Sequence, residues 1–251
     1  MMQLWPLKGI AEVVPGDDIA ALIITALEEN QLQLEAGDII AIAQKIISKA
    51  EGRYRYLDEV EPEKRAKYLA GQCDKDPRLM QLICNESSDV LRIRKGVIIV
   101  QHRLGYVHAN AGIDKSNLPV SERERVLLLP EDPDASSQAI RQKLEDKYQV
   151  PLGVLINDSA GRAWRNGTIG FAIGTAGFQP LNNLIGQLDR NGRRLEVSEV
   201  AVADELAAAA SYMMGQADES YPVVLIRGAN AKLGDYTSDC LIRDKQIDLF
   251  R

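Results

Sequence analysis

The stretch of the 251-residue chain that is richest in potentially reactive side chains runs from Leu152 to Gly177. It opens with an apolar run, 152–156, which predicts a buried strand that ends at Asn157-Asp158-Ser159. Two arginines, Arg162 and Arg165, and five glycines follow: Gly161, Gly167, Gly170, Gly174 and Gly177. Phosphate and carboxylate sites typically contain guanidinium groups and glycines, because glycine lets the backbone approach a ligand closely. A carboxylate at a strand end is a further polar group suited to such a site. A bulged strand with solvated arginines is the structural alternative.

Other segments place polar side chains next to predicted strand ends. The apolar strand 39–43 is followed directly by Gln44, Lys45, Ser48 and Lys49, and a lysine in that position is suited to phosphate. The loops 110–117 and 216–221 are rich in side-chain oxygens, which are ligands for a hard divalent cation. Together these segments predict a metal clamped between carboxylates and phosphates, and hence phosphoryl transfer. Solvated lysines and a plain turn remain open as alternatives.

Composition excludes several classes of protein. A net charge of -6 argues against a general nucleic-acid binder. Three cysteines without C-x-x-C spacing fit reduced thiols in a cytoplasm, and two histidines, His102 and His108, are too few for a zinc site. No P-loop, G-x-G-x-x-G or G-x-S-x-G motif is present. No signal peptide or run of about 18 apolar residues occurs, which predicts a soluble cytoplasmic protein without a membrane partner.

The patterns that position these residues predict a mixed sheet with flanking helices. Asp18 is predicted to cap a helix with a buried face at Ile19, Leu22, Ile23, Ala26 and Leu27. We predict further helices in 61–87, with Pro62 and Pro77 in their first turns, from an Asp134 cap to about Tyr148, and over 201–214. Strands are predicted at 2–7, 39–43, 126–129, 152–156 and 223–226, with a hairpin in 90–109. The order strand, helix, strand over 126–156 favours a parallel pair.

The longest motifs resemble one known family. They are ISKAEGR at 47–53, NAGIDKSN at 110–117, the run NDSAGRAWRNGTIGFAIGTAG at 157–177, VADE at 202–205, and the segment from 214 to 228. In this order and over nearly the whole chain they resemble the coenzyme F420:L-glutamate ligase family. The resemblance implies an α+β fold, as a single module of two intertwined lobes over residues 1–251, without the C-terminal reductase-like domain found in some relatives. It also implies a homodimer.

The activity that the resemblance implies is a GTP-dependent ligation of L-glutamate to the deazaflavin precursor F420-0, with extension by γ-glutamyl linkage. GTP is expected to phosphorylate the acceptor carboxylate, and the glutamate amine is expected to attack the acyl phosphate. The cofactors implied are two Mg²⁺ or Mn²⁺ ions per site, with a role for K⁺ left open. The same chemistry on a folate-like acceptor, or a GTP-binding regulatory protein without ligase activity, remains an alternative, and no residue excludes ATP.

The resemblance also assigns residues by position. Asp114, Asp158, Ser159 and Gln216 are expected to bind metal, and we expect Asp158, Lys49 and Arg162 to be catalytic. GTP is expected to contact a set of backbone and polar groups in four segments: Ile10, Ala11, Glu12, Val13, Gln44, Lys45, Lys49, Asn117, Met214, Gly215, Gln216, Ala217, Asp218, Glu219, Ser220 and Tyr221. Gln44-Lys45 replaces small hydroxyl residues of some relatives, and Ser159 stands where threonine is common. Which of Arg162 and Arg165 contacts substrate stays open.

Overall fold

The computed structural model describes residues 1–250 and has the predicted α+β architecture. The α-helices are α1 (Ile19–Glu29), α2 (Gln44–Ala50), α3 (Lys64–Cys73), α4 (Pro77–Asn85), α5 (Pro133–Tyr148) and α6 (Val202–Met214). The strands are β1 (Gln3–Pro6), β2 (Ile39–Ala43), β3 (Tyr54–Tyr56), β4 (Ser87–Arg94), β5 (Val97–His102), β6 (Val107–Ala109), β7 (Arg125–Leu127), β8 (Gly153–Arg162), β9 (Arg165–Ala176), β10 (Asn182–Asn183), β11 (Glu199–Val200) and β12 (Val223–Arg227). Short 3₁₀ turns lie at Leu57–Glu59, Asn110–Gly112 and Ser238–Leu241.

The main lobe is a five-stranded mixed sheet in the order β1-β12-β2-β8-β9. Strands β2 and β8 run parallel, and the other neighbours are antiparallel. Strand β2 is apolar at every position because both faces of the sheet are covered. Ile40 and Ile42 pack with α1 and α5, whereas Ile39 and Ala41 pack with α6 on the opposite face. The mixed sheet predicted from the sequence is therefore confirmed.

A second lobe is built from residues 54–128, which the chain inserts between two passes through the main sheet. Helices α3 and α4 pack on the antiparallel sheet β4-β5-β6, and a separate core includes Leu57, Met80, Ile98 and Val126. Strand β6 lies against β8, so the second lobe meets the main sheet near Asp158. No helix within residues 1–250 has the length and apolar character needed to cross a membrane.

Several local predictions are corrected. Strand β4 was not predicted, and Pro62 precedes the Glu63 cap of α3 instead of lying in its first turn. Asp132, and not Asp134, caps α5, because the Asp132 carboxylate accepts the Ala135 amide while Asp134 accepts the Thr175 amide of β9. The parallel partner of β8 is β2, since β7 pairs instead with β3.

The predicted end of the strand at Asp158 is also wrong. Strand β8 has a bulge between Ile156 and Asn157 and then continues to Arg162 as one arm of a hairpin with β9. Asp158 lies directly opposite Phe171 in this hairpin. The bulge therefore changes the direction of the polar residues without ending the strand.

The later glycines of the hairpin serve helix packing. A Cβ on Gly170 would lie 2.5 Å from the Ala207 carbonyl oxygen of α6 and 2.5 Å from the Ser211 Cβ. A Cβ on Gly174 would lie 2.5 Å from the Pro133 carbonyl carbon at the start of α5. The absence of a side chain at these positions allows helices from both faces to approach β9 closely.

We expect Gly170→Ala to lower the free energy of unfolding by about 1–3 kcal/mol, because the added methyl group meets backbone that cannot rotate away. Gly161→Ala is the matched control in the same hairpin, since nothing lies within 4 Å of its built Cβ and its φ is not positive. Urea unfolding of both variants tests the difference. Equal stability of the two variants would contradict the packing role of Gly170.

Candidate functional site

A polar cleft of about 510 Å³ opens between the two lobes, at one end of β2 and beside β8. Its volume lies within the range of small-molecule sites. Every residue predicted for the site lines this cleft except Arg162: Ile10, Ala11, Glu12, Val13, Gln44, Lys45, Lys49, Asp114, Asn117, Asp158, Ser159, Met214, Gly215, Gln216, Ala217, Asp218, Glu219, Ser220 and Tyr221. The fold thus brings together five segments that are far apart in sequence.

Two loops meet across the cleft. The Asn117 side-chain amide donates a 3.3 Å hydrogen bond to the Ala217 carbonyl oxygen, which links the loop after β6 to the loop after α6. The latter loop is shaped locally, because the Glu219 carboxylate accepts the Ala217 amide at 2.8 Å. The Gln216 amide donates to the Ser211 hydroxyl at 3.2 Å, so its carbonyl oxygen stays available to another group.

Asp114 is held by residues from the start of α2. Its Oδ2 accepts a 2.7 Å hydrogen bond from Gln44 Nε2 and lies 3.4 Å from Lys45 Nζ. Burial raises the pKa of the Asp114 carboxyl above its ordinary value, the Asp158 charge adds to the rise, and Lys45 and Gln44 oppose it. A second cation next to Asp114 would therefore be favourable.

Asp158 is held from both sides of its carboxylate. Oδ1 accepts the backbone amide of Ser159 at 2.7 Å, and Oδ2 lies 3.2 Å from Nε2 of His108. Burial lowers the pKa of His108, but the Asp158 carboxylate close to the ring outweighs that effect, so the net pKa is raised. His108 and Asp158 thus form a close and nearly buried contact at the edge of the cleft, in which neither Nε2 nor Oδ2 makes a hydrogen bond within residues 1–250.

Lys49 lies on α2 with only 8% of its side chain exposed, and its Nζ is 2.6 Å from Glu12 Oε1. The Glu12 side chain, by contrast, is 62% exposed. A buried ammonium faced by an exposed carboxylate is an arrangement in which an incoming anion can replace the carboxylate. Glu12 then competes with the ligand for Lys49.

We expect Glu12→Gln to increase the affinity for a nucleotide by about two- to fivefold, because the pair that must be broken is partly exposed and of modest strength. Calorimetric titration with GDP measures the change. Glu61→Gln, an exposed site outside the cleft, should leave the affinity unchanged. Weaker binding by Glu12→Gln would show that Glu12 contributes to nucleotide binding instead of competing with it.

The charge of the cleft favours the binding of metal cations. Five carboxylates line it, from Glu12, Asp114, Asp158, Asp218 and Glu219, but only the two ammonium groups of Lys45 and Lys49. A phosphate-bearing ligand enters such a site favourably only with accompanying cations. No group of three or more His, Cys, Asp or Glu side chains that could hold a metal lies within residues 1–250. The expected metal ligands are therefore two carboxylates, of Asp114 and Asp158, and the neutral oxygens of Ser159 and Gln216. That donor set fits Mg²⁺ or Mn²⁺, which keep positions for water and phosphate.

Arg162 is the predicted site residue that the fold leaves outside the cleft. It is exposed at the end of β8, where its guanidinium donates a 3.0 Å hydrogen bond to the Gly167 carbonyl oxygen. Arg165 is also exposed. None of the five glycines from Gly161 to Gly177 lines the cleft, so the expectation that their backbone lies close to a ligand there is wrong. The catalytic assignment of Arg162 stays a prediction.

Sequence reasoning missed two residues beside Asp158. His108 was considered only as a zinc ligand, and Asn157 was considered only as part of a turn. Asn157 lines the cleft, and its side-chain oxygen is buried without a hydrogen-bond partner among the described residues. The position of Asn157 next to Asp158 was an available signal, whereas nothing in the sequence indicated the contact of His108 with a residue fifty positions away.

A second cavity, of about 670 Å³, lies near the start of α5. Its most buried acid, Asp134, already accepts the amides of Thr175 and Ser238 and the Ser238 hydroxyl. Asp132 caps α5, and Asp235 is paired with Arg141. Since these carboxylates have local structural partners, the cleft that contains Asp114 and Asp158 is the stronger candidate site.

A mixed-sheet α+β core with a polar cleft at its strand ends, lined by acids and lysines from distant segments, is typical of a protein that binds a small charged molecule. The chain belongs to the F420-0:gamma-glutamyl ligase family, whose model matches residues 9–228. The chain is therefore an enzyme of the ligase class that forms C–N bonds. The resemblance seen in the sequence motifs is confirmed.

Similar proteins span the same length. The coenzyme F420:L-glutamate ligase of Methanothermobacter thermautotrophicus is 45% identical over 97% of this chain and 96% of its own. The Methanopyrus kandleri protein of the same name is 41% identical over 100% of this chain and 98% of its own. The Archaeoglobus fulgidus protein of that name is 36% identical over 100% of this chain and 96% of its own.

Proposed function

We propose that this enzyme joins L-glutamate to coenzyme F420-0 and extends the product by γ-glutamyl linkage, with GTP as co-substrate. The similar proteins are named for ligation of L-glutamate to coenzyme F420, which supports the acceptor and the amino acid. The observation that most supports a phosphorylated intermediate is the cleft, in which two lysines and two adjacent carboxylates meet around a volume that suits a nucleotide.

The reaction proceeds in two steps. The acceptor carboxylate oxygen attacks the γ-phosphorus of GTP, which forms an acyl phosphate and releases GDP. The amine of L-glutamate then attacks the acyl carbon, the C–N bond forms, the C–O bond to phosphate breaks, and the amine loses a proton. Both steps need negative oxygens to be neutralised and held in line, and positioning contributes most of the catalysis.

The residues of the cleft divide this task. Lys49 and Lys45 neutralise phosphate oxygens, while segments 10–13 and 214–221, which both line the cleft, contact the nucleotide. Asn117 holds the second of these segments in place through Ala217. Asp114, Asp158, Ser159 and Gln216 would hold two Mg²⁺ or Mn²⁺ ions, which supply charge neutralisation at the transferred phosphoryl group. Asp158 thereby acts at the reacting phosphate, and Arg162 keeps its proposed catalytic role.

The test is incubation of the protein with GTP, Mn²⁺ or Mg²⁺, L-glutamate and F420-0, with GDP release and acceptor mass followed together. We expect GDP release that requires both co-substrates and an acceptor mass that rises by whole glutamyl units. Parallel reactions with ATP in place of GTP test the nucleotide, and reactions with a folate acceptor test the acceptor. Reactions in K⁺ and in Na⁺ test the monovalent ion. GDP release without L-glutamate or acceptor, and without any mass change, would contradict ligation.

We also propose that the chain is a homodimer. The outer part of the β8–β9 hairpin, residues 161–169, is exposed on both faces, and Trp164 at its tip is 88% exposed. A two-stranded ribbon with an exposed tryptophan is marginally stable alone and gains stability by packing against a second copy. Light scattering on protein eluting from a gel-filtration column should give about twice the 27.7 kDa chain mass, and a monomer mass at micromolar concentration would contradict the proposal.

A further inference from the structure

The ring of His108 is fixed in place by its surroundings. It lies on β6 with only 9% of the residue exposed, and its Nδ1 is 3.0 Å from the Ala109 carbonyl oxygen. Because a carbonyl oxygen only accepts, Nδ1 is the donor in this contact. The other side of the ring packs on Phe171, with 5.7 Å between ring centroids. The ring therefore has little freedom to rotate.

The fixed ring presents Nε2 to Asp158. Nε2 is 3.2 Å from Asp158 Oδ2, while Oδ1 is held by the Ser159 amide at 2.7 Å. Phe171, which packs on the ring, is also the residue directly opposite Asp158 on β9. With one contact at each oxygen, the plane of the carboxylate is set, and lone pairs remain on both oxygens for a ligand.

His108 also connects the two carboxylates of the cleft. It stands on β6 six residues before Asp114, in the second lobe, whereas Asp158 stands on β8 of the main sheet. The lobes meet at β6 and β8, and the close contact of His108 with Asp158 crosses that junction. Asp114 is bound separately to the main lobe through Gln44 of α2, so the spacing between the Asp114 and Asp158 carboxylates depends on both contacts.

We propose that His108 is a positioning residue that fixes the Asp158 carboxylate relative to Asp114 and so determines the affinity of the cleft for a divalent cation. The inference rests on the proposed metal-dependent function. His108 does not line the cleft, so it acts through Asp158. Residues that contact and orient metal ligands commonly change metal affinity about 10- to 100-fold when they are replaced.

The test is Mn²⁺ titration, with free Mn²⁺ measured by electron paramagnetic resonance in the presence and absence of GDP. We expect His108→Leu to raise the Mn²⁺ dissociation constant about 10- to 100-fold. His108→Asn keeps a donor near Ala109, but its side chain does not reach Asp158. We expect the same rise in the Mn²⁺ dissociation constant for this variant. His108→Gln can place its amide near the position of Nε2, and its dissociation constant should stay within about threefold of wild type.

His102 offers a matched control. It is the other histidine of the chain, it is fully buried in the same lobe, and its Nε2 lies 3.4 Å from the Glu86 carboxylate, away from the cleft. His102→Gln should leave Mn²⁺ affinity unchanged. Thermal unfolding of every variant identifies those that fold, and GDP affinity without metal should be unchanged in the folded His108 variants.

The outcomes separate the two proposals. If wild type binds Mn²⁺ no better than Asp158→Asn, the proposed metal site is wrong. If wild type binds Mn²⁺ more tightly than Asp158→Asn but a folded His108→Leu or His108→Asn matches wild type, the positioning role is wrong. Equal losses in His108→Gln and His108→Leu would also overturn it, because the contact to Asp158 would then not be what matters.

Discussion

Asp158→Asn is expected to reduce turnover by about a hundredfold or more, since a metal at a transferring phosphoryl group contributes several kcal/mol of charge stabilisation. The asparagine can keep the Ser159 contact through its own oxygen and can face His108 with its amide, so the fold should be retained. What the variant loses is the negative charge that attracts a cation. Steady-state GDP release and Mn²⁺ affinity should therefore fall together, while GDP affinity without metal should change little.

Asp74→Asn is the control for this prediction. Asp74 ends α3 with φ of 55°, a conformation that asparagine tolerates, and its side chain is 71% exposed and remote from the cleft. The control should retain full activity. If Asp158→Asn, shown to be folded by its unfolding transition, turned over near the wild-type rate, the assignment of Asp158 as a metal ligand would be wrong.

The site was predictable from the sequence to the extent that local patterns determine it. The helix α1 begins after Asp18, whose carboxylate accepts the amides of Ala20 and Ala21 as the pattern predicts. The apolar strand β2 delivers Lys45 and Lys49 to the cleft because polar residues that follow a fully buried strand must emerge at its end. Composition also indicates the oxygen-rich residues 216–221, whereas the assignment of loop 214–221 to GTP comes from the family resemblance.

The remaining errors arise from contacts over long sequence distances. The polar pair Asn157-Asp158 predicts a strand end, but a bulge between Ile156 and Asn157 lets the strand continue in its pairing with β9. The glycines that follow give the same sequence pattern whether they lie close to a ligand or to a helix. Only the fold shows that Gly170 faces Ala207 of α6. Within α1, Leu22 follows the buried spacing but stays partly exposed, because tertiary packing determines which edge of a helix face is covered.

Lys49→Met is expected to weaken binding of GTP about 10- to 100-fold, which is the effect of losing a hydrogen bond between an ammonium and a phosphate. Methionine keeps the length and apolar stem of the buried lysine, so the packing of α2 should be retained. Glu12 loses its partner, but its side chain is 62% exposed and returns to solvent at small cost. The loss should therefore appear in ligand binding and not in the unfolding transition.

Comparison of two ligands makes this prediction specific to phosphate. GDP and guanosine share the base and ribose, so a lysine that contacts phosphate changes the affinity for GDP and leaves that for guanosine unchanged. Lys95→Met, at an exposed lysine paired with Asp74, should change neither affinity. Equal losses for GDP and guanosine would mean that Lys49 shapes the cleft instead of binding phosphate. Because Glu12→Gln removes the competitor and Lys49→Met removes the target, the double variant should bind GDP no more tightly than Lys49→Met alone.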